Sequence, residues 1–318
     1  MAVLLVVLSL IIIVFSSGWL VDGASALAKK LQISDLVIGL TVVAFGTSSP
    51  ELTVNLIASL QGATDIAIGN VIGSNIFNAL LILGIAAVIY PVTVKHNSVW
   101  IEIPLSLLAA LVLAVCANDR YLDRALTSQL SRVDGLILLS FFCIFLYYSL
   151  HVAFSQKESP PETYKPMLTW KALLLVGLGL LGLYLGGRLM VENAILLARG
   201  WGISEAIIGL TIIAAGTSVP ELATSAMAAY KGNSDIAIGN VVGSNIFNVF
   251  FILGISATIS PLPFQASANL DLAVNILASI LIFIFCFLGR GRRISRPEGV
   301  FLITLYLVYV SYLMSIAK

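Results

Sequence analysis

Ten stretches of the chain stay apolar for about 20 residues at a time, the length an α-helix needs to cross the hydrocarbon core of a bilayer. They run roughly over 1–22, 36–60, 65–90, 99–117, 133–153, 168–198, 206–229, 235–260, 269–289 and 299–315. Only helices and closed barrels satisfy their backbone hydrogen bonds in lipid, so runs of this length predict an all-α membrane protein of ten transmembrane helices. Composition agrees: 10% of the residues are charged, against about a quarter in soluble domains. The net charge of +1 comes without a basic patch, so the expected partner is the lipid bilayer and no nucleic acid. Residues 1–21 are apolar enough for a signal peptide, but no positive n-region precedes them. They are expected to stay as the first span. Cys116, Cys143 and Cys286 lie far apart in or beside apolar runs. They form neither a disulfide framework nor a zinc pattern and read as small apolar filler.

The ten runs divide into five and five. Between them lies SQKESPPETYKP, residues 155–166, a short, charged, proline-rich stretch that reads as a linker. Residues 39–78, GLTVVAFGTSSPELTVNLIASLQGATDIAIGNVIGSNIFN, match residues 209–248 at an offset of 170, with 25 of 40 positions identical. Similarity of that degree within one chain is an internal duplication. The expected organisation is a first five-helix repeat over 1–154, a cytoplasmic linker over 155–167 and a second repeat over 168–318. Five is odd, so the second repeat enters the membrane from the opposite side and the two are inverted. Secondary transporters are built in this way, with sites near the midplane on broken helices. Loops on the linker side carry eleven lysines and arginines and those on the other side five. The positive-inside rule makes the linker side cytoplasmic, which puts both termini on the non-cytoplasmic side.

Each copy carries a proline and a glutamate inside an apolar run: GTSSPE at 46–51 and GTSVPE at 216–221. A carboxylate at mid-bilayer costs at least ~2.5–3.5 kcal/mol on insertion scales, and Glu51 and Glu221 have no lysine or arginine in their own spans. Brought together, two such carboxylates repel, and a bound cation relieves both the repulsion and the burial. The plainer alternative is a pair of protonated glutamates serving only packing. Thr47 and Ser48 lie four and three residues before Glu51, hence on its helical face, as Thr217 and Ser218 do before Glu221. Pro50 has no amide hydrogen and obstructs the carbonyl of Gly46, so carbonyls near Ala44 to Thr47 are expected to turn toward a cavity, and likewise beside Pro220. Oxygens of this mixture suit a hard cation such as Ca²⁺, whereas softer metals want His or Cys.

The next helix of each repeat bears a polar stripe at i, i+4, i+8: Asn70, Ser74 and Asn78, then Asn240, Ser244 and Asn248. Interhelical hydrogen bonding competes with ion binding as its purpose. Gly69 and Gly73, and Gly239 and Gly243, form GxxxG pairs that permit close helix approach. Asn75 and Asn245 fall off the stripe and receive no role. Asp65 and Asp235 open helices, where a carboxylate suits the dipole. Glu102 is expected to face water, Arg188 and Glu192 to pair at i, i+4, and His96 and His151 to have no catalytic partner.

Two copies of G-T-S-x-P-E, each followed by G-N-V-x-G-S-N-I-F-N, resemble the alpha repeats of the sodium/calcium exchanger family, within the calcium/cation antiporters. The motifs cover 80 of 318 residues, and the ten-span layout extends the resemblance along the chain. It implies Ca²⁺ moving outward in exchange for Na⁺ moving inward across the plasma (inner) membrane. The family's central calcium ligands fall on Glu51 and Glu221, with the carbonyls of Thr47 and Thr217. Its sodium positions fall on Ala44, Ser48 and Ser74, and on Ala214, Ser218 and Ser244. A central polar pair falls on Asn78 and Asn248. The first and sixth helices of the family are long and slide against the other eight, and the run 168–198 suits such a helix. Some members carry aspartate where Asn248 stands, notably potassium-dependent ones, so asparagine favours potassium-independent exchange. The large cytoplasmic regulatory insert of animal exchangers has no counterpart here, so no calcium-sensing domain is expected. Ca²⁺ and Na⁺ are cargo, no cofactor is implied, and a monomer is expected to suffice.

Three other readings compete. Proton/calcium exchange on the same scaffold is the nearest, because a glutamate can carry a proton as readily as it coordinates sodium. A passive cation channel is a second. An intramembrane hydrolase is the third and weakest, since no Ser/His, Ser/Lys or HExxH arrangement occurs at membrane depth.

Overall fold

The apolar runs become helices in a computed structural model that describes residues 2–61, 64–96, 98–122, 124–155, 167–200, 214–288 and 291–316. Among these residues eight helices are long and apolar enough to cross a membrane: α1 Ala2–Leu31, α4 Ala67–Ile89, α5 Ser98–Cys116, α6 Arg132–Ser155, α7 Thr169–Leu197, α10 Ser234–Ile259, α11 Ala268–Leu288 and α12 Arg296–Ser315. A bent pair, α2 Asp35–Thr47 and α3 Ser49–Leu60, makes a ninth span, kinked by 47°. Its counterpart is seen from α8 Ala214–Thr217 into α9 Val219–Tyr230. Most of the linker (156–166), the front of the seventh expected span (206–213, with the start of the second motif), and Lys157, Lys165, Arg290 and Lys318 of the loop count lie outside the described residues. The protein is a multi-pass, all-helical integral membrane protein.

The first span is longer than its apolar run. Helix continues past Asp22 through Leu31, because GASALAKK is rich in good helix formers and Asp22 is held by Lys231 at 2.6 Å. α1 and α7 pack along each other through small residues. A Cβ on Gly179 would stand 2.8 Å from the Leu20 amide, and one on Gly186 2.9 Å from Ile13. Lipid offers no hydrophobic drive between helices, so close van der Waals fit is what holds such a pair.

The centre is α4 and α10, which carry the polar stripes. Most of α10 is sealed inside protein. Both relax from α to π geometry at the ends of their stripes, over Phe77–Ile82 and Phe247–Leu253, segments that contain Asn78 and Asn248. π turns of this kind concentrate at functional sites. α10 presses on α2 as its GxxxG pair predicts: a Cβ on Gly239 would lie 2.9 Å from the Leu36 carbonyl, and one on Gly243 2.8 Å from that of Leu40. Ser34 caps α2, accepting the Val37 amide at 3.3 Å. Asn233 caps α10, accepting the Ile236 amide at 3.1 Å while its own amide reaches Asp35 at 2.7 Å.

Two short antiparallel ladders tie loops at the helix ends. β1 Val92–Thr93 pairs with β4 Arg293–Ile294, and β2 Gln129–Leu130 with β3 Leu262–Pro263. β1 and β3 sit 170 residues apart and β2 and β4 164, so each ladder joins one half of the chain to the other and the two ladders are rough counterparts in the two repeats. Lys95 bonds Asp235 at 2.8 Å, and Lys30 contacts Thr169.

Glu102 departs from expectation. It is buried, 1% exposed, on a π turn over Ser98–Glu102, and accepts a hydrogen bond from the Tyr148 hydroxyl at 2.5 Å. A tyrosine from α6 covers it, a tertiary contact that its position near a span end does not reveal. Arg188 and Glu192 do pair, at 2.7 Å.

Candidate cation site

Both Glu-bearing helices break at the same place. Ser48 has φ −81°, ψ 7° and Ser218 φ −89°, ψ 8°, the sparsely allowed bridge region where many active-site residues sit. Pro50 and Pro220 follow in the first turn of the next helix, where a missing amide hydrogen costs nothing. The interruption therefore belongs to the serine, two residues before the proline. The carbonyl of Ala44, expected to be freed, accepts from the Ser48 amide at 3.0 Å and the Thr47 hydroxyl at 3.3 Å. Pro50 withholds a donor from Gly46, not from Ala44. Ala214 opens α8.

Glu51 is 0% and Glu221 1% exposed, and each is gripped by the other half of the chain. The Ser218 hydroxyl donates to Glu51 Oε1 at 2.9 Å, and the Ser48 hydroxyl donates to Glu221 Oε1 at 2.8 Å. Ser218 meets Ser74 and Ser48 meets Ser244, each at 3.0 Å. Ser74 lies 3.4 Å from Glu51 Oε1. Thr47 donates to Asn240 Oδ1 at 3.0 Å, and Thr217 to Asn70 Oδ1 at 3.4 Å. Every one of these cross-contacts has its mate at the 170-residue offset, so the centre has approximate two-fold symmetry.

Asn78 and Asn248 are fully buried and bond across the same axis, to asparagines that had no role. Asn78 Nδ2 donates to Asn245 Oδ1 and Asn248 Nδ2 to Asn75 Oδ1, both at 3.0 Å. Asn75 and Asn245 were missed because they face the other half's helix, on a flank that a single-helix stripe does not describe. Asn55 and Ser225 were also missed, and Asn55 braces the backbone while Ser225 braces a side chain of the stripe. Asn55 Nδ2 donates to the Glu51 carbonyl at 2.8 Å, and Ser225 accepts from Asn240 Nδ2 at 2.9 Å. They occupy matching places in the two copies, a signal present in the duplication itself.

What is left over defines the chemistry. Among the buried side-chain atoms without a hydrogen-bond partner are Glu51 Oε2, Glu221 Oε2, Asn78 Oδ1 and Asn248 Oδ1. Buried polar atoms are almost always paired, and these four oxygens form two pairs related by the offset of the duplication. The donor set is oxygen alone, with a formal charge of −2 when both glutamates are ionised. The two copies differ in cover: Thr47 and Asn240 are buried, Thr217 and Asn70 only half-buried.

The fold and this centre define a multi-pass membrane protein with a paired, acidic, oxygen-lined core. More particularly, the chain belongs to the sodium/calcium exchanger protein family, whose model matches residues 1–151 and 171–315. The family is one of exchangers rather than enzymes. The chain is 38% identical over 327 residues to a putative antiporter, CaxA, of Alkalimonas amylolytica, covering 99% of each. It is 33% identical over 345 residues to the sodium/calcium exchanger MaX1 of Methanosarcina acetivorans, covering 98% of each. Its fold matches a solved structure of the sodium-calcium exchanger NCX_Mj with a TM-score of 0.83 and 33% identity, over 98% of this chain and 97% of that one.

Proposed function

We propose that the protein exchanges Ca²⁺ for Na⁺ across the plasma (inner) membrane by alternating access. Ten spans arranged as two inverted five-helix repeats, 1–154 and 168–318, would hold one site at their shared axis. The observation that carries the reading is the set of four buried, unpartnered oxygens on Glu51, Glu221, Asn78 and Asn248. Two carboxylates with two amide oxygens suit Ca²⁺. Ser48, Ser74, Ser218 and Ser244, the backbones of Ala44 and Ala214, and the carbonyls of Thr47 and Thr217 complete places for Na⁺. One Ca²⁺ or two Na⁺ cancels the charge of −2, and a third Na⁺ makes turnover electrogenic. An empty site leaves bare carboxylates in low dielectric, a state that resists closure and so enforces coupling. Burial of both glutamates favours such occluded exchange over a passive channel.

Proton/calcium exchange keeps one supporting observation: each glutamate has an unpartnered oxygen that a proton could occupy. Uptake of ⁴⁵Ca²⁺ into proteoliposomes loaded with Na⁺, K⁺ or acid separates the two. The expected result is uptake that follows the Na⁺ gradient. Uptake indifferent to Na⁺ and driven by internal acid would overturn the sodium reading in favour of the proton one.

A further inference from the structure

A primary amide presents an oxygen on one side and an NH₂ on the other, so a cation site that uses asparagine must control which way the amide faces. The structure contains such a control. A backbone carbonyl can only accept, and Asn75 Nδ2 donates to the Asn245 carbonyl at 3.2 Å while Asn245 Nδ2 donates to the Asn75 carbonyl at 3.3 Å. These two bonds fix the amides of Asn75 and Asn245 with nitrogen toward the partner's main chain. Their oxygens therefore point the other way, and a carbonyl oxygen demands a donor. Asn248 supplies it to Asn75, and Asn78 to Asn245, each through Nδ2 at 3.0 Å. With nitrogen committed, Asn78 and Asn248 turn their oxygens outward from these bonds, and both oxygens are among the buried amide oxygens left unpartnered. All four asparagines are at most 3% exposed, so they are shielded from bulk solvent. The π turns that begin at Phe77 and Phe247 start two residues beyond Asn75 and Asn245, where the helical bonding register changes.

We propose that Asn75 and Asn245 are positioning residues that hold the Asn248 and Asn78 amides oxygen-first toward the transported cation, each half of the chain orienting a ligand of the other. This rests on the reading of Glu51, Glu221, Asn78 and Asn248 as the cation centre. A purely structural role for the lattice predicts something different. Packing alone would make loss of Asn245 equally harmful whatever stands at 78, whereas orientation matters only if the group at 78 has two unlike ends. A carboxylate has two alike.

The test is a double-mutant cycle in proteoliposomes, reading KM and kcat for ⁴⁵Ca²⁺ against Na⁺ for wild type, Asn245→Leu, Asn78→Asp and the double variant. The rise in Tm that Ca²⁺ gives the purified full-length protein is a readout free of turnover. Residues that orient metal ligands typically cost about 10–100-fold in affinity when lost. Asn245→Leu is expected to raise the Ca²⁺ KM by about that factor with a much smaller change in kcat, and to shrink the Ca²⁺-dependent rise in Tm. In the Asn78→Asp background the same substitution should carry no penalty and should restore part of any affinity lost in Asn78→Asp alone, because a carboxylate at 78 only accepts and is opposed by the Asn245 oxygen that the substitution removes. An equal penalty in both backgrounds, or an unchanged KM in Asn245→Leu, overturns the positioning role. If Asn245→Leu does not fold, Asn75→Leu in wild-type and Asn248→Asp backgrounds asks the mirrored question with the same outcomes. Wild-type protein that moves no Ca²⁺ against any ion overturns the transport reading itself, before a variant is compared.

Discussion

At the scale of single residues, the glutamates and serines share one device: each carboxylate has one oxygen held by a hydroxyl from the opposite half and one left bare. Glu51→Gln keeps the shape and removes half of the charge. Removing one member of a buried charged set costs about 3–5 kcal/mol, so Glu51→Gln and Glu221→Gln are each expected to lower Ca²⁺ exchange by at least ~100-fold. Normal exchange by both variants would refute the centre. Ser48 bonds Glu221 and Ser244 and is read as part of a Na⁺ place. Ser48→Ala is therefore expected to raise the Na⁺ concentration needed for half-maximal exchange more than it raises the Ca²⁺ KM, measured by titrating each ion in turn. The Asp22–Lys231 pair is a contrast in magnitude: its side chains are 54% and 28% exposed, and pairs in contact with water contribute about 0–1 kcal/mol. Its length of 2.6 Å does not make it a mainstay of the fold.

Among elements, the close crossing of α10 over α2 and the broken helices are what bring the two copies together. Gly243 meets the Leu40 backbone at a distance no Cβ can share, so Gly243→Val must push α10 away from the helix carrying Thr47 and Ser48. Overpacking a tight contact costs about 1–3 kcal/mol. A lower Tm in detergent, with loss of exchange beyond what the remaining folded fraction explains, is the expected pair of results. The helix break follows a different logic. Its residue is Ser48, held at ψ near 0°, while Pro50 makes the break permanent by denying Gly46 a donor. Pro50→Ala restores that donor and lets α2 run on into α3. It is expected to leave the protein folded, with equal or higher Tm, and to impair exchange because Ser48 turns away from Glu221.

For the whole molecule, the offset of 170 residues that relates the motifs also relates the site contacts and the asparagine bonds, and the two loop ladders are counterparts to within a few residues. A duplication after an odd number of spans predicts this exchange of partners, because each half then offers its lipid-sequestered face to an inverted copy of itself. The ladder β1–β4 draws together loops assigned to the cytoplasmic side, Val92–Thr93 and Arg293–Ile294, and β2–β3 draws together loops assigned to the opposite side. The topology is checked by fusing alkaline phosphatase or green fluorescent protein to the C-terminus. The phosphatase is expected to be active and the fluorescent protein dark, and the reverse would place the termini in the cytoplasm.

Much of this was legible in the residues alone. Apolar runs of about 20 residues dictate spanning helices, since a single segment satisfies its backbone within itself in lipid only as a helix. The repeat dictates two like halves, and a glutamate beside proline, threonine and serine marks the place where polarity is concentrated. These are properties of local chemistry and of one chain compared with itself. The tertiary structure decided what local chemistry does not reveal: that Glu102 is covered by Tyr148, that helix α1 runs on to Leu31 beside α7, and that the break falls at Ser48. It decided above all that Asn75 and Asn245, off the stripe of their own helices, stand against the main chain of their counterparts. Helical periodicity describes one face of one helix, whereas an amide's direction is set by whichever donor and acceptor the other repeat supplies.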